Sequence, residues 1–333
     1  MAAHASDLLR LSGSETVRAK VSPRRPADVS HRDGLMHNSF RRTVRRRGAS
    51  LLMAVCLLSL GSCTSGQLPA WLDMGAEKVT HLQVPAPEGC DLVWSDEFDY
   101  EGLPNPERWR YDRGGHGWGN HELQFYTESR SENARVEDGL LVIEAHRETF
   151  QGNGYTSARV LSRQEWTYGR FEVAARLPSG RGTWPAIWML PDLRQHGGWP
   201  RAGEIDIMEH VGFNPDTVHS TVHTAAYNHM LGTHQGSSIH VPTARSEFNL
   251  YAVEWTPSEI RGFVNDNHYF TFANERLTDP DADFRHWPFD KPFHLILNIA
   301  VGGSWGGRHG VDPEIWPQRM EVDWVRVYDC GQP

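Results

Sequence analysis

Beyond Asp91 the chain alternates. Apolar and polar residues trade places at every second position or fall in apolar runs too short for a helix, and no long segment keeps a 3.6-residue period. Eleven segments carry the pattern: 91–98, 139–147, 168–177, 183–190, 203–211, 216–224, 249–257, 259–266, 268–274, 292–301 and 320–329. Gly, Pro, Asn and Asp gather between them, as turns require. Many short strands at close spacing predict an all-β protein, either a sandwich or a barrel. Neither an internal repeat nor a low-complexity block interrupts the series.

The N-terminus follows a different pattern. Residues 41–47, RRTVRRR, are strongly basic, and 49–60, ASLLMAVCLLSL, are almost wholly apolar. A membrane span needs about 20 apolar residues, so this shorter stretch behind a basic one reads as a secretory signal. It ends in Leu60-Gly61-Ser62-Cys63, which resembles a bacterial lipobox, and that resemblance implies a lipid on Cys63. The other reading is an ordinary signal with an incidental cysteine. Thr64 stands where an aspartate would favour retention in the inner membrane, which leans the protein toward the outer membrane. Met36 opens a signal of ordinary length and is the expected start of translation. Residues 1–63 are therefore read as extension and signal, 64–87 as a tether, and 88–333 as the folded domain. The expected product is exported, either anchored to a membrane by lipid or secreted, and monomeric.

The formal charge is -9, from 42 acidic and 33 basic residues, and the acids gather after residue 95. Nucleic acid needs a basic face, so this balance argues against it and fits a neutral substrate. The 13 Trp, 13 Phe and 9 Tyr are a heavy aromatic load. Part of it serves a core, and part suits a cleft in which indoles stack on the apolar faces of sugar rings; composition leaves the division open. Of the four cysteines, Cys90 precedes the first strand and Cys330 follows the last. If those strands pair antiparallel the two thiols meet and can bridge in an oxidising compartment, the alternative being two free thiols. With no CxxC pair, no structural zinc site is expected.

Chemistry concentrates in Gly203-Glu204-Ile205-Asp206-Ile207-Met208-Glu209-His210. Side chains alternate along a strand, so Glu204 and Asp206 share one face and Ile205 and Ile207 the other. One extra residue, a β-bulge, returns Glu209 to the acidic face. Three carboxyls would then line one side of the strand and repel unless at least one keeps its proton. Retaining glycoside hydrolysis needs two carboxyls about 5–5.5 Å apart, and the bulge and strand twist would have to bring the glutamates that close. A solvated strand edge is the plainer alternative. His219 and His223 also fit a facing pair, but without a third ligand in reach they predict no transition-metal site.

Six collinear segments around this one outweigh the plainer alternative. The segment Glu204 to Glu209 resembles the active-site signature of glycoside hydrolase family 16, in its bulged, laminarinase-like form. Further matches are Trp94 to Phe98, Gly117 to Thr127, Tyr168 to Glu172, Gly182 to Leu190 and Asn298 to Gly303, with Val322 to Tyr328 as the closing strand. Together they cover Asp91 to Asp329. The resemblance implies a two-sheet antiparallel β-sandwich, a jelly roll of the concanavalin A-like kind, with a concave substrate cleft. It implies an endo-hydrolase of β-1,3-glucan needing no organic cofactor, with Glu204 as nucleophile, Glu209 as acid/base and Asp206 tuning their protonation. Trp184, Trp188 and Asn120 match residues that line the sugar cleft, and Trp199 and His223 are further candidates for it. A structural calcium is implied at Glu97, the carbonyl of Gly139, and Asp323. The rival readings are a β-glucan-binding protein without activity, a transglycosylase, and a hydrolase of mixed-linkage glucan or galactan.

Overall fold

The computed structural model describes residues 81–194 and 197–331. Met36 and Cys63, with the signal and most of the tether, lie outside the described residues.

Strands are numbered along the chain. The first sheet runs β14 (Asn267–Ala273), β13 (Glu259–Val264), β12 (Asn249–Trp255), β7 (Gly169–Arg176), β16 (Gln318–Asp329), β5 (Leu140–Ala145) and β4 (Ala134–Glu137). The second runs β11 (Gln235–His240), β10 (Thr217–His223), β9 (Glu204–His210), β8 (Thr183–Pro191), β15 (Phe293–Val301), β6 (Tyr155–Ser162) and β2 (Trp109–Asp112). Two short strands share an edge with a longer partner. β1 (Asp91–Asp96) continues the line of β5 along β16, and β3 (Gln124–Thr127) lies beside the start of β6. The pairs are antiparallel except β3 with β6, which is parallel.

The alternation has a simple cause: each sheet buries one face against the other. Phe171, Val173 and Val325 of the first sheet and Ile187, Ile205 and Leu297 of the second are fully buried in one shared core. Each such side chain contributes about 1.5–3 kcal/mol relative to exposure. The first and last strands pair antiparallel, Asp91 opposite Asp329, and this brings the flanking cysteines together. Cys90 and Cys330 form a disulfide.

The end of the expected tether does not hang free. Leu82 and Val84 pack on Ala174, Leu250 and Trp324 at the outer face of the first sheet, and the Trp324 indole donates to the Leu82 carbonyl at 3.0 Å. Leu82 N also donates to Asp323, at 2.5 Å. The folded unit therefore begins several residues before 88.

Candidate active site

The acidic strand lies in the middle of the second sheet, and its bulge is visible on both sides. Against β8, Ile187 pairs with Met208 but Trp188 pairs with Asp206, so Ile207 is skipped. Against β10, His219 pairs with Glu209 and Thr221 with Asp206, leaving Ser220 opposite both Ile207 and Met208. Apolarity explains the choice: Ile205, Ile207 and Met208 are all 0% exposed and all belong to the core. Two consecutive residues sink inward, and Glu209 emerges on the face of Glu204 and Asp206.

The same face collects the cleft. Trp184 and Trp188 flank Ala186 on β8, at alternate positions whose neighbours Ile187 and Met189 are core. The Trp184 indole N–H donates to Glu209 Oε1 at 3.0 Å, and the Trp199 indole N–H donates to Glu204 Oε2 at 3.0 Å. Each glutamate thus has one donor that favours its charged form. His223, 6% exposed, faces the other two carboxyls, with Nε2 at 3.6 Å from Glu204 Oε1 and 3.4 Å from Asp206 Oδ2. Asn120 reaches this face beside Gly303, where a Cβ would lie 3.1 Å from the Asn120 carbonyl and 3.3 Å from the Trp184 ring. Gly303 also has φ +76, so no larger residue fits there.

Burial governs the protonation. It is the chief cause, and the Glu209 charge the second, that pushes Glu204 up to about 8, against the Trp199 bond. Burial pushes Glu209 up to about 7, against the Trp184 bond. Asp206 is raised well above the usual carboxylate range by burial and by both glutamates. The three share their protons as one set. Around neutral pH the set holds fewer than three charges. The His223 imidazole, lowered to about 3 by burial and by His229 and His234, stays neutral beside them.

Several cleft groups escaped the sequence reading. Glu122 accepts from Asn120 Nδ2 at 3.3 Å and Gln124 Nε2 at 2.6 Å, with Tyr126 OH at 3.4 Å. Asn298 joins them to Trp188, accepting its indole N–H at 2.7 Å and donating to Tyr126 OH at 3.0 Å. The Arg159 guanidinium lies over Trp118 and Trp188, 4.9 and 4.6 Å from their ring centres. Trp305 packs edge-on against both Trp184 and His219. Glu122, Gln124, Tyr126 and Asn298 sit inside matched segments and Trp305 beside one, while Arg159 lies in none; what they lacked was a spacing rule naming them.

The expected calcium positions are otherwise engaged. Both oxygens of Glu97 accept from Arg326, at 3.0 and 2.9 Å. Asp323, 1% exposed, pairs with His81 Nδ1 at 2.5 Å, and Gly139 abuts the same imidazole. Calcium takes six to eight oxygens, and a set closed by a guanidinium and an imidazole does not fit it. Among the described residues, the group with metal-ligand proximity is instead Glu204, Asp206 and His223, whose ligand atoms lie within 4.8 Å of one another. His223 therefore has the neighbours that its spacing from His219 did not supply.

A family model for glycosyl hydrolases family 16 matches residues 121–326. The chain belongs to glycoside hydrolase family 16. It is 60% identical to a β-glucanase of Rhodothermus marinus over 87% of this chain and 96% of that one. It is 40% identical to a glucan endo-1,3-β-glucosidase of Cryptopygus antarcticus, over 71% and 91% of the two chains. The X-ray structure of the laminarinase from Rhodothermus marinus superimposes with a TM-score of 0.71 at 68% identity, over 72% of this chain and 97% of that one. The fold is the family 16 jelly roll, and family 16 catalysis needs no cofactor.

Proposed function

We propose that this family 16 hydrolase is an endo-β-1,3-glucanase acting with retention, with Glu204 as nucleophile and Glu209 as acid/base. One observation carries the reading: the bulge turns Glu204, Asp206 and Glu209 to one face, and each glutamate there has its own indole donor. Asp206, Glu204 and Glu209 are all raised by burial and share protons as one set, and retention draws on the arrangement of that set with the charge on Glu204 and a proton on Glu209. Glu204 attacks the anomeric carbon while Glu209 gives its proton to the departing glycosidic oxygen, so one C–O bond forms as the other breaks. Glu209, now ionised, takes a proton from water; the water oxygen attacks the same carbon and releases Glu204. Trp184, Trp188, Trp199, His223 and Asn120 hold the sugars on either side.

The named relatives support β-1,3-glucan as the polymer, with mixed-linkage glucan the nearest alternative. Export with a lipid on Cys63 completes the proposal, placing a monomeric enzyme at the cell surface against polymers too large to import; the basic-then-apolar leader supports it. A calcium ion at Glu97, Gly139 and Asp323 would have to displace Arg326 and His81, and no step uses it.

Azide rescue separates the two roles. Glu204→Ala should lose at least about 10³-fold in kcat on an activated aryl β-1,3-glucoside, and azide should restore turnover with an α-glycosyl azide as product. Glu209→Ala with azide should give the β-azide. Exchange of those two products would reverse the assignment, and undiminished turnover in both variants would exclude it.

A further inference from the structure

The catalytic bulge has a support on its hidden side. β10 presents Val218, Ser220 and Val222 to the core and His219, Thr221 and His223 toward the cleft. Ser220 is thus a polar residue between two buried valines, and it is 1% exposed. It stands opposite the extra residue, at the step where the pairing of β9 and β10 loses register. There its hydroxyl donates to the backbone carbonyl of Asp206 at 2.8 Å. A buried carbonyl at a broken ladder needs a donor from elsewhere, and Ser220 supplies it.

The other sheet is shaped to admit this hydroxyl. Gly262 on β13 faces Ser220 across the sandwich, and a Cβ on it would lie 2.9 Å from Ser220 Oγ and 3.2 Å from Ser220 Cβ. Glycine is unfavourable inside a strand unless something approaches closely. Here the close neighbour is the serine that holds Asp206. Tyr269 is the titratable neighbour on this side, and burial raises its phenol, so it stays neutral while the carboxyls titrate.

We propose that Ser220, seated against Gly262, is a positioning residue that fixes the bulge and so the mutual placement of Asp206 and Glu209. The inference rests on the roles given above to Glu204 and Glu209. Without the hydroxyl the sheet still closes, but the Asp206 peptide is free to turn, and a small displacement of reacting groups is felt mainly in the chemical step.

The test compares Ser220→Ala, Gly262→Ala and the double variant with wild type by kcat, KM, pH profile and thermal melting. Wild-type release of reducing ends from laminarin tests the functional reading by itself; ratios of variant to wild type, on whichever β-glucan is cleaved, test the support. Ser220→Ala should lower kcat about 10- to 100-fold, leave KM within about twofold, and move a limb of the pH profile. Gly262→Ala should lower both kcat and melting temperature by crowding the hydroxyl. The double variant should regain melting temperature over Gly262→Ala without regaining kcat. Melting changes with unaltered kcat and pH profile in Ser220→Ala would overturn the proposal. Should Ser220→Ala not fold, Gly262→Ala decides alone: the same split between kcat and KM supports the support role, and unchanged kcat overturns it.

Discussion

Three carboxyls on one strand face are held in a proton-sharing set chiefly by burial, and this has a consequence for stability. A carboxyl raised in the folded state keeps protons that the unfolded chain releases. Its contribution to stability is complete below the unfolded value and is lost as pH rises through the folded one. For Glu204 and Glu209 the window runs from about 4.5 to about 8 and about 7 respectively. Glu204→Gln removes one member, and Gln stays neutral at every pH. It should therefore gain on wild type between pH 5 and pH 8, by at least about 2 °C in melting temperature at the upper end. An equal gap at both pH values would contradict this account of the set. At this scale the sequence was legible where spacing has a geometric meaning: Glu204, Asp206 and Glu209 on a bulged strand, and Trp184 with Trp188 on its neighbour. Arg159 was not, because its ring partners Trp118 and Trp188 come from distant parts of the chain, and Glu122 was not, because nothing in its near neighbours Asn120, Gln124 and Tyr126 marks them as its partners rather than as ordinary polar positions.

The bulge is the element on which the site depends, and it is driven from the core side. Ile207 and Met208 are consecutive, apolar and fully buried, so the strand can satisfy both only by breaking step. Ile207→Ala and Met208→Ala should each cost about 2–5 kcal/mol in denaturant unfolding, and each should slow the reaction by loosening Glu209. A loss of stability with full activity would mean that the bulge persists without its apolar drive. The eleven predicted segments match β1, β5, β7 to β10 and β12 to β16. The five that went unseen have physical reasons. β2, β3 and β4 are four residues each, too short to show a period. β6 buries Thr156, Ser157 and Ser162 where an apolar residue would have marked it, and β11 is a polar, largely exposed edge. The parallel pairing of β3 with β6 follows from long-range topology and leaves no trace in local pattern.

At the scale of the molecule, catalysis and closure belong to different sheets. The acids stand on the second sheet, while the first and last strands meet on the first sheet, where β1 and β16 pair and Cys90 bonds to Cys330 across 240 residues. Cross-linking so long a loop restricts the unfolded chain more than the folded one. Replacing both cysteines with serine should cost about 2–5 kcal/mol in unfolding and leave kcat at 25 °C unchanged. Lost activity in a folded double variant would show that the two sheets are coupled. The disulfide was an open alternative in the sequence, and in the structure Cys90 and Cys330 are bonded beside the antiparallel terminal strands. The central claim is that Glu204 and Glu209 cleave β-1,3-glucan with retention, and proton NMR of laminarin in the first minutes of digestion tests it most directly. The account predicts that new reducing ends appear first as the β anomer and relax to the α, and that Glu204→Gln releases almost none. Release of the α anomer first, or undiminished release by Glu204→Gln, would contradict it.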